Sequence, residues 1–298
     1  MNTRQKLAPA GSGGFALIAV LWMVSALAIL ASGLIHAVRS EISGVQHLLE
    51  SERASAAADA AILLLARDML ERQNQGEVRF ERRTLVFEGT PVEIMMVPAI
   101  GLIDINQADV LLLRDLFQIA GGVSQALAEQ LAEGIVTRRT ADPIATGAAT
   151  APVDHAEQRR RRMQRFDVIE DLMQIDGMDF ELFARIRDLV TLASGQTRVY
   201  PPAAPFDVLA VLAGGDVEAS ARFALQREAG GPATDASSLS HRLDSSPGGS
   251  VYRVDAIVSL PSGARYSRRI WVDFSTDGSG HPFRVLDLQG LRSVGREA

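Results

Sequence analysis

The sequence has no cysteine among its 298 residues. Disulfide bonds, thiolate zinc sites, iron–sulfur clusters and cysteine nucleophiles are therefore excluded. A basic excess is also lacking, since the formal net charge is −6, whereas proteins that bind nucleic acid usually present a positive surface to the phosphates. Apolar residues make up 47% and charged residues 22%, the balance of a globular chain long enough for one large domain or two ordinary ones.

Charge is absent from residues 15–35, a run of 21 apolar and small residues. As a helix this run spans roughly 31 Å, close to the hydrocarbon thickness of a bilayer. Arg4 and Lys6 precede it, and the positive-inside rule then keeps the short N-terminus in the cytoplasm. We predict a single-pass transmembrane helix. The alternative is a cleaved secretory signal, whose apolar region is shorter, about 7–15 residues, although residues 31–33 mimic a cleavage site.

A glycine-rich stretch at residues 11–14 ends abruptly at Phe15, where the apolar run begins. This arrangement resembles the leader of type IV pilins and pseudopilins, which are cut after a glycine on the cytoplasmic side. Their new N-terminal residue, often Phe, is methylated. The resemblance implies that a prepilin peptidase cuts between Gly14 and Phe15, so that the apolar helix stays on the mature protein.

One position departs from the pilin pattern. Most pilins and pseudopilins place a glutamate fifth after the cut, and here that position is Ala19. Within the superfamily, the missing glutamate is characteristic of the minor pseudopilin K of type II secretion (general secretion pathway protein K). The string GFALIAVLWMVSALAIL is also similar to that family.

Helical periodicity continues beyond the apolar run. No proline occurs from residue 15 to 75, and Gly76 is suited to end a helix. We predict one amphipathic helix of about 60 residues, and the alternative is a break near Gly44 followed by a separate globular helix. The apolar positions with helical spacing are Ile42, Val45, Leu49, Ala56, Ala60, Leu63 and Leu70.

Segments rich in β-formers lie on both sides of a central helical region. Residues 78–81, 84–88 and 92–97 predict an antiparallel meander. Near the C-terminus, residues 250–260 and 264–274 alternate around a Pro-Ser-Gly turn, and an edge strand is predicted at 283–288.

The central region, from about residue 101 to 194, is predicted to be helical. Asn106 is a candidate N-cap for its first helix. Two stretches have the layout helix, glycine-bearing turn, helix, with Gly121 in the first turn and Gly177 in the second. A third stretch of this kind begins at residue 206.

Together these patterns predict an α+β protein. A pilin-like long N-terminal helix packs on a small antiparallel sheet, and a large α-helical domain is inserted, an architecture that the resemblance to pseudopilin K also implies. The predicted divisions are a leader at 1–14, a transmembrane helix at 15–35, the helix continuation and first strands at 36–100, a helical insert with helix-hairpin-helix-like elements at 101–200, and the remaining helix and C-terminal strands at 201–298.

Residues suited to catalysis or metal binding are scattered. The five histidines form no metal-ligand pair, and the chain has no phosphate loop or nucleophile elbow. We therefore predict no enzyme, no catalytic residue and no cofactor, and a membrane-anchored hydrolase has no motif in its support. The resemblance allows calcium in the helical insert, although four candidate aspartates fit helix caps and turns more simply. They are Asp167, Asp171, Asp176 and Asp179.

The resemblance implies a minor pseudopilin that caps the tip of the type II secretion pseudopilus. Its implied location is the inner membrane, with the C-terminal domain in the periplasm, where it takes part in export of folded proteins across the outer membrane. The implied partners are other minor pseudopilins, the prepilin peptidase and inner-membrane secretion components.

The alternative function is that of a membrane-anchored helix-hairpin-helix DNA-binding protein of the competence-receptor type. In the second hairpin, however, Asp176 and Asp179 flank Gly177, where phosphates would approach, so we predict no nucleic-acid partner. The four arginines at 159–162 leave two interpretations open, a solvated helix face or a phosphate- or lipid-binding patch.

Overall fold

The computed structural model describes residues 13–73, 79–140, 165–230, 236, 239, 248–275 and 283–296. The chain forms two compact units, Met1–Arg53 and Ala54–Ala298. Helix α1 occupies Gly13–Gln73 and contributes to both units, so the prediction of one continuous helix is confirmed and no break occurs at Gly44. Alanine-rich sequence without proline favours this length. The helix ends at Gln73, and the predicted stop at Gly76 lies outside the described residues.

A six-stranded antiparallel sheet forms the centre of the second unit. Its order is β1-β2-β5-β6, and the outer edge of β6 pairs with β7 along one half and β8 along the other. A separate parallel pair joins β3 and β4. The strands are β1 (Glu81–Phe87), β2 (Thr90–Pro98), β3 (Ile103–Asp104), β4 (Val190–Thr191), β5 (Val251–Ser259), β6 (Ala264–Asp273), β7 (Arg284–Leu288) and β8 (Arg292–Arg296).

The first hairpin corrects part of the strand prediction. β1 and β2 match the predicted segments 84–88 and 92–97, and a two-residue loop with positive φ at Glu88 and Gly89 joins them. Of the predicted strand at 78–81, residue 78 lies outside the described residues, 79 and 80 are not in a strand, and Glu81 begins β1. The Phe80 N–H donates to the Pro202 carbonyl at 3.1 Å and so leaves the sheet.

One face of the sheet packs on the part of α1 that belongs to the second unit. Small and aliphatic side chains of this segment, from Ala54 to Met69, contact alternate residues of β2 and β5 such as Ile94 and Val254. Polar contacts flank this core, since Arg268 on β6 reaches Asp59 at 2.9 Å. The apolar positions predicted for this segment are therefore wrong, because Ala56 and Leu63 are exposed and the face that packs on the sheet contains Ala57, Ala58 and Ile62 instead.

The helical insert is the chain between Pro98 and Val251. β2 and β5 are direct neighbours, paired from Val92↔Val258 to Pro98↔Tyr252, so everything between them leaves the sheet and returns beside the strand it left. Within the described part of the insert, the helices are α2 (Val110–Asp115), which continues as a π turn (Leu116–Ala120), α3 (Gln125–Thr140), a 3-10 turn (Ile169–Gln174), α4 (Phe180–Ile186), α5 (Phe206–Leu212) and α6 (Val217–Gly230).

The insert has its own apolar core on the other face of the sheet. Met95 and Val97, which alternate along β2 with the residues facing α1, pack against it. This core extends past residue 200, the predicted end of the insert, because Leu209 of α5 and Phe223 of α6 are fully buried within it. The second unit is therefore a three-layer arrangement of α1, sheet and insert.

Two 3-10 turns of the insert approach each other closely beside the sheet. They are Ala99–Gly101 and Pro201–Ala203, and the Tyr200 N–H donates to the Ile100 carbonyl at 2.8 Å. A Cβ at position 101 would lie 2.0 Å from the carbonyl oxygen of Ala203. Only glycine therefore permits this approach.

Candidate functional site

The N-terminal part of α1 presents large apolar side chains on every side. Among those described, Leu17, Trp22 and Ile29 are 73%, 74% and 73% exposed. Apolar surface of this extent requires lipid or other helices to cover it. Within the predicted span at 15–35, side chains are described only for residues 17–32. In the described part of the chain, no helix combines the length and the apolar character needed to cross a bilayer.

Small residues interrupt this apolar surface and suit close helix packing. Ala19, Ala26 and Ala31 are all exposed. The hydroxyl of Ser25 is satisfied within the helix, because its Oγ donates to the Leu21 carbonyl at 2.8 Å. At Ala19 this surface carries a methyl group and no carboxylate.

The predicted processing residues cannot be assessed from geometry. Residues 1–12 of the predicted leader lie outside the described residues, and so do the surroundings of Gly14 and Phe15. Cleavage between them and methylation of the new N-terminus stay predictions.

The first helical hairpin corrects the predicted cap. Asp109, not Asn106, caps α2, and its Oδ1 accepts from the Leu112 N–H at 2.7 Å. The Asn106 amide instead bridges to a distant segment: its Nδ2 donates to the Phe166 carbonyl at 3.0 Å and its Oδ1 accepts from the Phe166 N–H at 2.9 Å. Asn and Asp are both favoured as N-cap residues, and the contact of Asn106 with Phe166 leaves the N-cap of α2 to Asp109.

A buried carboxylate, that of Asp104, joins the start of the insert to the loop at residues 194 and 195. Asp104 is 2% exposed, and its Oδ2 accepts from Ser194 Oγ at 3.0 Å and from the Gly195 N–H at 2.8 Å. Arg139, at the end of α3, donates to the Ile105 carbonyl at 2.9 Å. Burial lowers the pKa of Arg139, and the charge of Asp104 opposes that shift.

The second helical hairpin lies against α3. A Cβ at Gly177 would lie 2.8 Å from Leu127 Cδ1, and Gln130 Nε2 donates to the Asp176 carbonyl at 3.4 Å. The Asp179 carboxylate accepts from the Leu182 N–H at 2.7 Å and so occupies the helix start that a phosphate would need. This arrangement disfavours the DNA-binding alternative.

A cavity of about 730 Å³ between α3 and this hairpin is lined by acidic side chains. Glu129, Glu133 and Asp176 contribute, and Arg138 is the cation among the lining residues. Arg138 also lies over the Phe166 ring, 4.6 Å from its centroid. The negative charge opposes phosphate binding here as well.

The aspartates considered as calcium ligands form different hydrogen bonds and do not share one site in the structure. Asp171 Oδ1 accepts from Gln174 Nε2 at 2.9 Å and its Oδ2 from the Asp167 N–H at 3.3 Å, while Asp179 caps α4. Within the residues that the structure describes, no group of three His, Asp or Glu side chains is arranged to hold a metal ion. Calcium stays an expectation from the resemblance.

Charged side chains, two of them buried, join the insert to the sheet. Asp188, just after α4, pairs with Arg269 of β6, Oδ1 to Nη1 at 2.5 Å, and its carbonyl accepts from Arg253 Nη1 of β5 at 2.7 Å. Asp255 lies between the two arginines, with Oδ2 at 3.0 Å from Arg253 Nε and Oδ1 at 2.5 Å from Arg269 Nε. We call these four residues the charge cluster. Sequence analysis missed it, because the residues are far apart in the chain.

Burial and the contacts within the charge cluster change the pKa values of Asp188 and Arg253. Burial raises the pKa of Asp188, but the hydrogen bond and charge of Arg269 outweigh burial and leave that pKa below its ordinary value. Burial lowers the pKa of Arg253, and the Asp255 charge opposes that shift. Asp188 therefore stays charged at neutral pH and pairs with Arg269 where the insert meets the sheet.

Comparison with known proteins gives similarity at the level of structure. No family model and no curated protein sequence matches the chain. A chain in the crystal structure of the GspK-GspI-GspJ complex from the enterotoxigenic Escherichia coli type 2 secretion system is similar, with a TM-score of 0.51 and 15% sequence identity. The alignment covers 84% of this chain and 98% of that chain. The predicted α+β fold is thereby confirmed, and the chain has a fold similar to that of a chain in this secretion-system complex, as the resemblance to pseudopilin K predicts.

Proposed function

We propose that this protein is a minor pseudopilin of the K type that functions in a type II secretion system. The observation that carries the proposal is the insertion of a helical domain between the neighbouring strands β2 and β5, on the sheet face opposite α1. The similar fold of a chain in the GspK-GspI-GspJ complex supports it. The other subunits of such a complex are the partners we propose for this chain.

The apolar N-terminal part of α1 is the proposed membrane anchor. Before assembly it holds the subunit in the inner membrane, with residues 54–298 in the periplasm. After a prepilin peptidase has cut behind Gly14, the same surface packs against helices of neighbouring subunits. The exposed leucines and alanines of this segment suit both environments, because lipid tails and helix faces are equally apolar.

A position at the tip follows from two features of the chain. Ala19 carries no carboxylate to meet the N-terminal amine of a subunit already in the filament, an attraction that is strong at low dielectric. A tip subunit has no subunit above it, so the loss costs little there. The bulk of the insert also blocks addition of another subunit on top.

The proposed role is mechanical rather than catalytic. The subunit completes a filament that moves folded proteins toward the outer-membrane channel. We propose no enzymatic activity and no nucleic-acid partner. The acidic side chains at the second hairpin support the latter point.

The decisive experiment is subunit counting in pseudopili purified from the native host. Quantitative mass spectrometry should find about one copy per filament, and immunogold labelling should mark one end. An Ala19→Glu variant provides the matched comparison, because it restores the carboxylate without changing the periplasmic domain. Labelling along the shaft of wild-type filaments would exclude the tip position. Micromolar DNA binding that weakens steeply with added salt would instead favour the competence-receptor alternative.

A further inference from the structure

A groove opens where the insert meets the sheet, close to the charge cluster. Its volume is about 400 Å³. From the sheet side Met95 lines it, and from the insert side α5 and α6 line it with Phe206 and Arg227. A pocket of this size lies within the range of ligand-binding sites, and seven of its thirteen lining residues are charged.

Arg227 is the unusual member of the groove lining. Its side chain is buried, with 5% of the residue exposed, and it lies over the Phe80 ring, 4.9 Å from the centroid. Its Nη1 donates to the carbonyls of Ala204 at 2.6 Å and Pro202 at 3.4 Å. Among the described residues no carboxylate lies within ion-pair distance of this guanidinium.

The other arginines of the groove are neutralised. Arg253 and Arg269 pair with the carboxylates of the charge cluster, and Arg82 at the rim lies 3.6 Å from Glu93. Buried charges in proteins are normally paired, because desolvation without a counter-charge is costly. Burial lowers the pKa of Arg227, and only the neighbouring, exposed Glu228 opposes this shift. Among the described residues, the guanidinium of Arg227 therefore lacks a carboxylate partner, unlike those of Arg82, Arg253 and Arg269.

We propose that this groove, the Arg227 groove, receives a carboxylate-bearing apolar segment of a partner protein. An aspartate or glutamate of the segment pairs with Arg227, and a neighbouring apolar side chain packs on Met95 and Phe206. The rim is open, since Phe206 is 42% exposed, so a ligand larger than the groove extends outward as a protein segment does.

The remaining charges select a carboxylate over a phosphate. Asp188, Asp207 and Glu228 also line the groove. They repel a doubly charged phosphate more than a singly charged carboxylate. The proposal does not depend on the pseudopilin assignment, because it rests only on the groove and its charges.

A small-molecule probe tests the chemistry of the groove. The full chain in lipid nanodiscs is titrated with 3-(4-fluorophenyl)propanoate, followed by ¹⁹F NMR with empty nanodiscs subtracted. Saturable broadening is expected for this carboxylate and not for 3-(4-fluorophenyl)propanamide. Equal binding of the amide, or tighter binding of the matching phosphonate, would overturn the proposal, as would no binding at all.

Variants locate the probe. Arg227→Met should weaken binding about tenfold, because a charge-assisted hydrogen bond is lost. Arg82→Gln leaves Glu93 without this partner and so adds net negative charge at the exposed rim, which should weaken carboxylate binding about threefold and keeps the test valid if Arg227→Met does not fold. Arg198→Gln removes the same charge from an exposed site outside the groove lining and should change nothing. Equal affinity in Arg82→Gln and Arg198→Gln would place the probe elsewhere.

Photo-crosslinking in the native host identifies the proposed occupant. A benzophenone amino acid replaces Phe206 at the rim, and in the control it replaces Phe180, which is 72% exposed and outside the groove lining. An adduct specific to position 206, mapped by mass spectrometry to an acidic peptide of another protein, is expected. No such adduct, or an adduct on a peptide without Asp or Glu, would refute the proposal.

Discussion

Arg269 of β6 and Asp188 of the insert are joined by an ion pair of 2.5 Å, although 81 positions separate them in the chain. Asp255 holds the same guanidinium from the neighbouring strand β5. The insert is thus attached to the sheet by charge as well as by apolar packing. The first two predictions concern this attachment.

Asp255→Asn should destabilise the protein strongly. The substitution removes the carboxylate between Arg253, which is 3% exposed, and the partly buried Arg269, so the two guanidinium groups are left facing each other. Breaking a buried pair costs roughly 3–5 kcal/mol. Chemical denaturation of the full chain measures the loss. Asp287→Asn removes an equal charge from the exposed strand β7 and should change stability by less than about 0.5 kcal/mol. Equal stability of the two variants would show that the charge cluster contributes little to the free energy of unfolding.

Stability should decline in acid. The pKa values of Asp188 and Asp273 lie below the ordinary aspartate value in the folded protein, because burial, which raises them, is outweighed by arginine and hydrogen-bonding partners. The unfolded chain therefore binds more protons at low pH. This stabilisation is complete above the unfolded pKa, about 3.9, and is lost as pH falls through the lower folded values. Melting temperatures from pH 6 to pH 2 check the decline, which Asp188→Asn should make shallower. A decline as steep as that of the wild type would exclude Asp188 as its source.

Gly101→Ala should be among the most damaging single-methyl additions in the chain. The new Cβ would lie 2.0 Å from the Ala203 carbonyl oxygen, and backbone cannot move aside as a flexible side chain can. We expect a loss of about 3 kcal/mol, at the upper end of overpacking effects. Gly248→Ala is the matched control, since its Cβ meets no atom within 4 Å. Thermal unfolding of both variants gives the comparison, and equal melting temperatures would contradict the close approach.

Processing should occur behind Gly14 in the native host. The apolar run begins at Phe15 without an intervening charge, and a cut there retains the whole anchor. The intact mass and the N-terminal sequence of the mature protein measure this, with a methylated Phe15 as the expected first residue. A mature N-terminus near Gly33 would indicate an ordinary signal peptide, and an intact Met1 in wild-type cells would remove the pseudopilin proposal.

Local patterns were sufficient for several elements. Helix α1, the β5–β6 hairpin and the α5–α6 segment follow from side-chain periodicity and turn residues, which act over a few positions. The capping of α2 shows the limit of such patterns, because Asn106 and Asp109 have similar preferences and only the contact with Phe166 separates them. β8 escaped prediction because Gly295, with positive φ, interrupts its alternation beside the register shift against β6.

The sequence by itself determined the apolar N-terminal helix, the α+β composition and the order of most helices and of the longer strands, since each depends on neighbours in the chain. Only the tertiary structure decided that β2 pairs with β5 across the whole insert and that the insert covers the sheet face opposite α1. The charge cluster and the Arg227 groove also exist only in the folded protein. Their residues meet through strand pairing and layer packing, and the energies of such contacts between distant positions leave no periodic trace in the sequence.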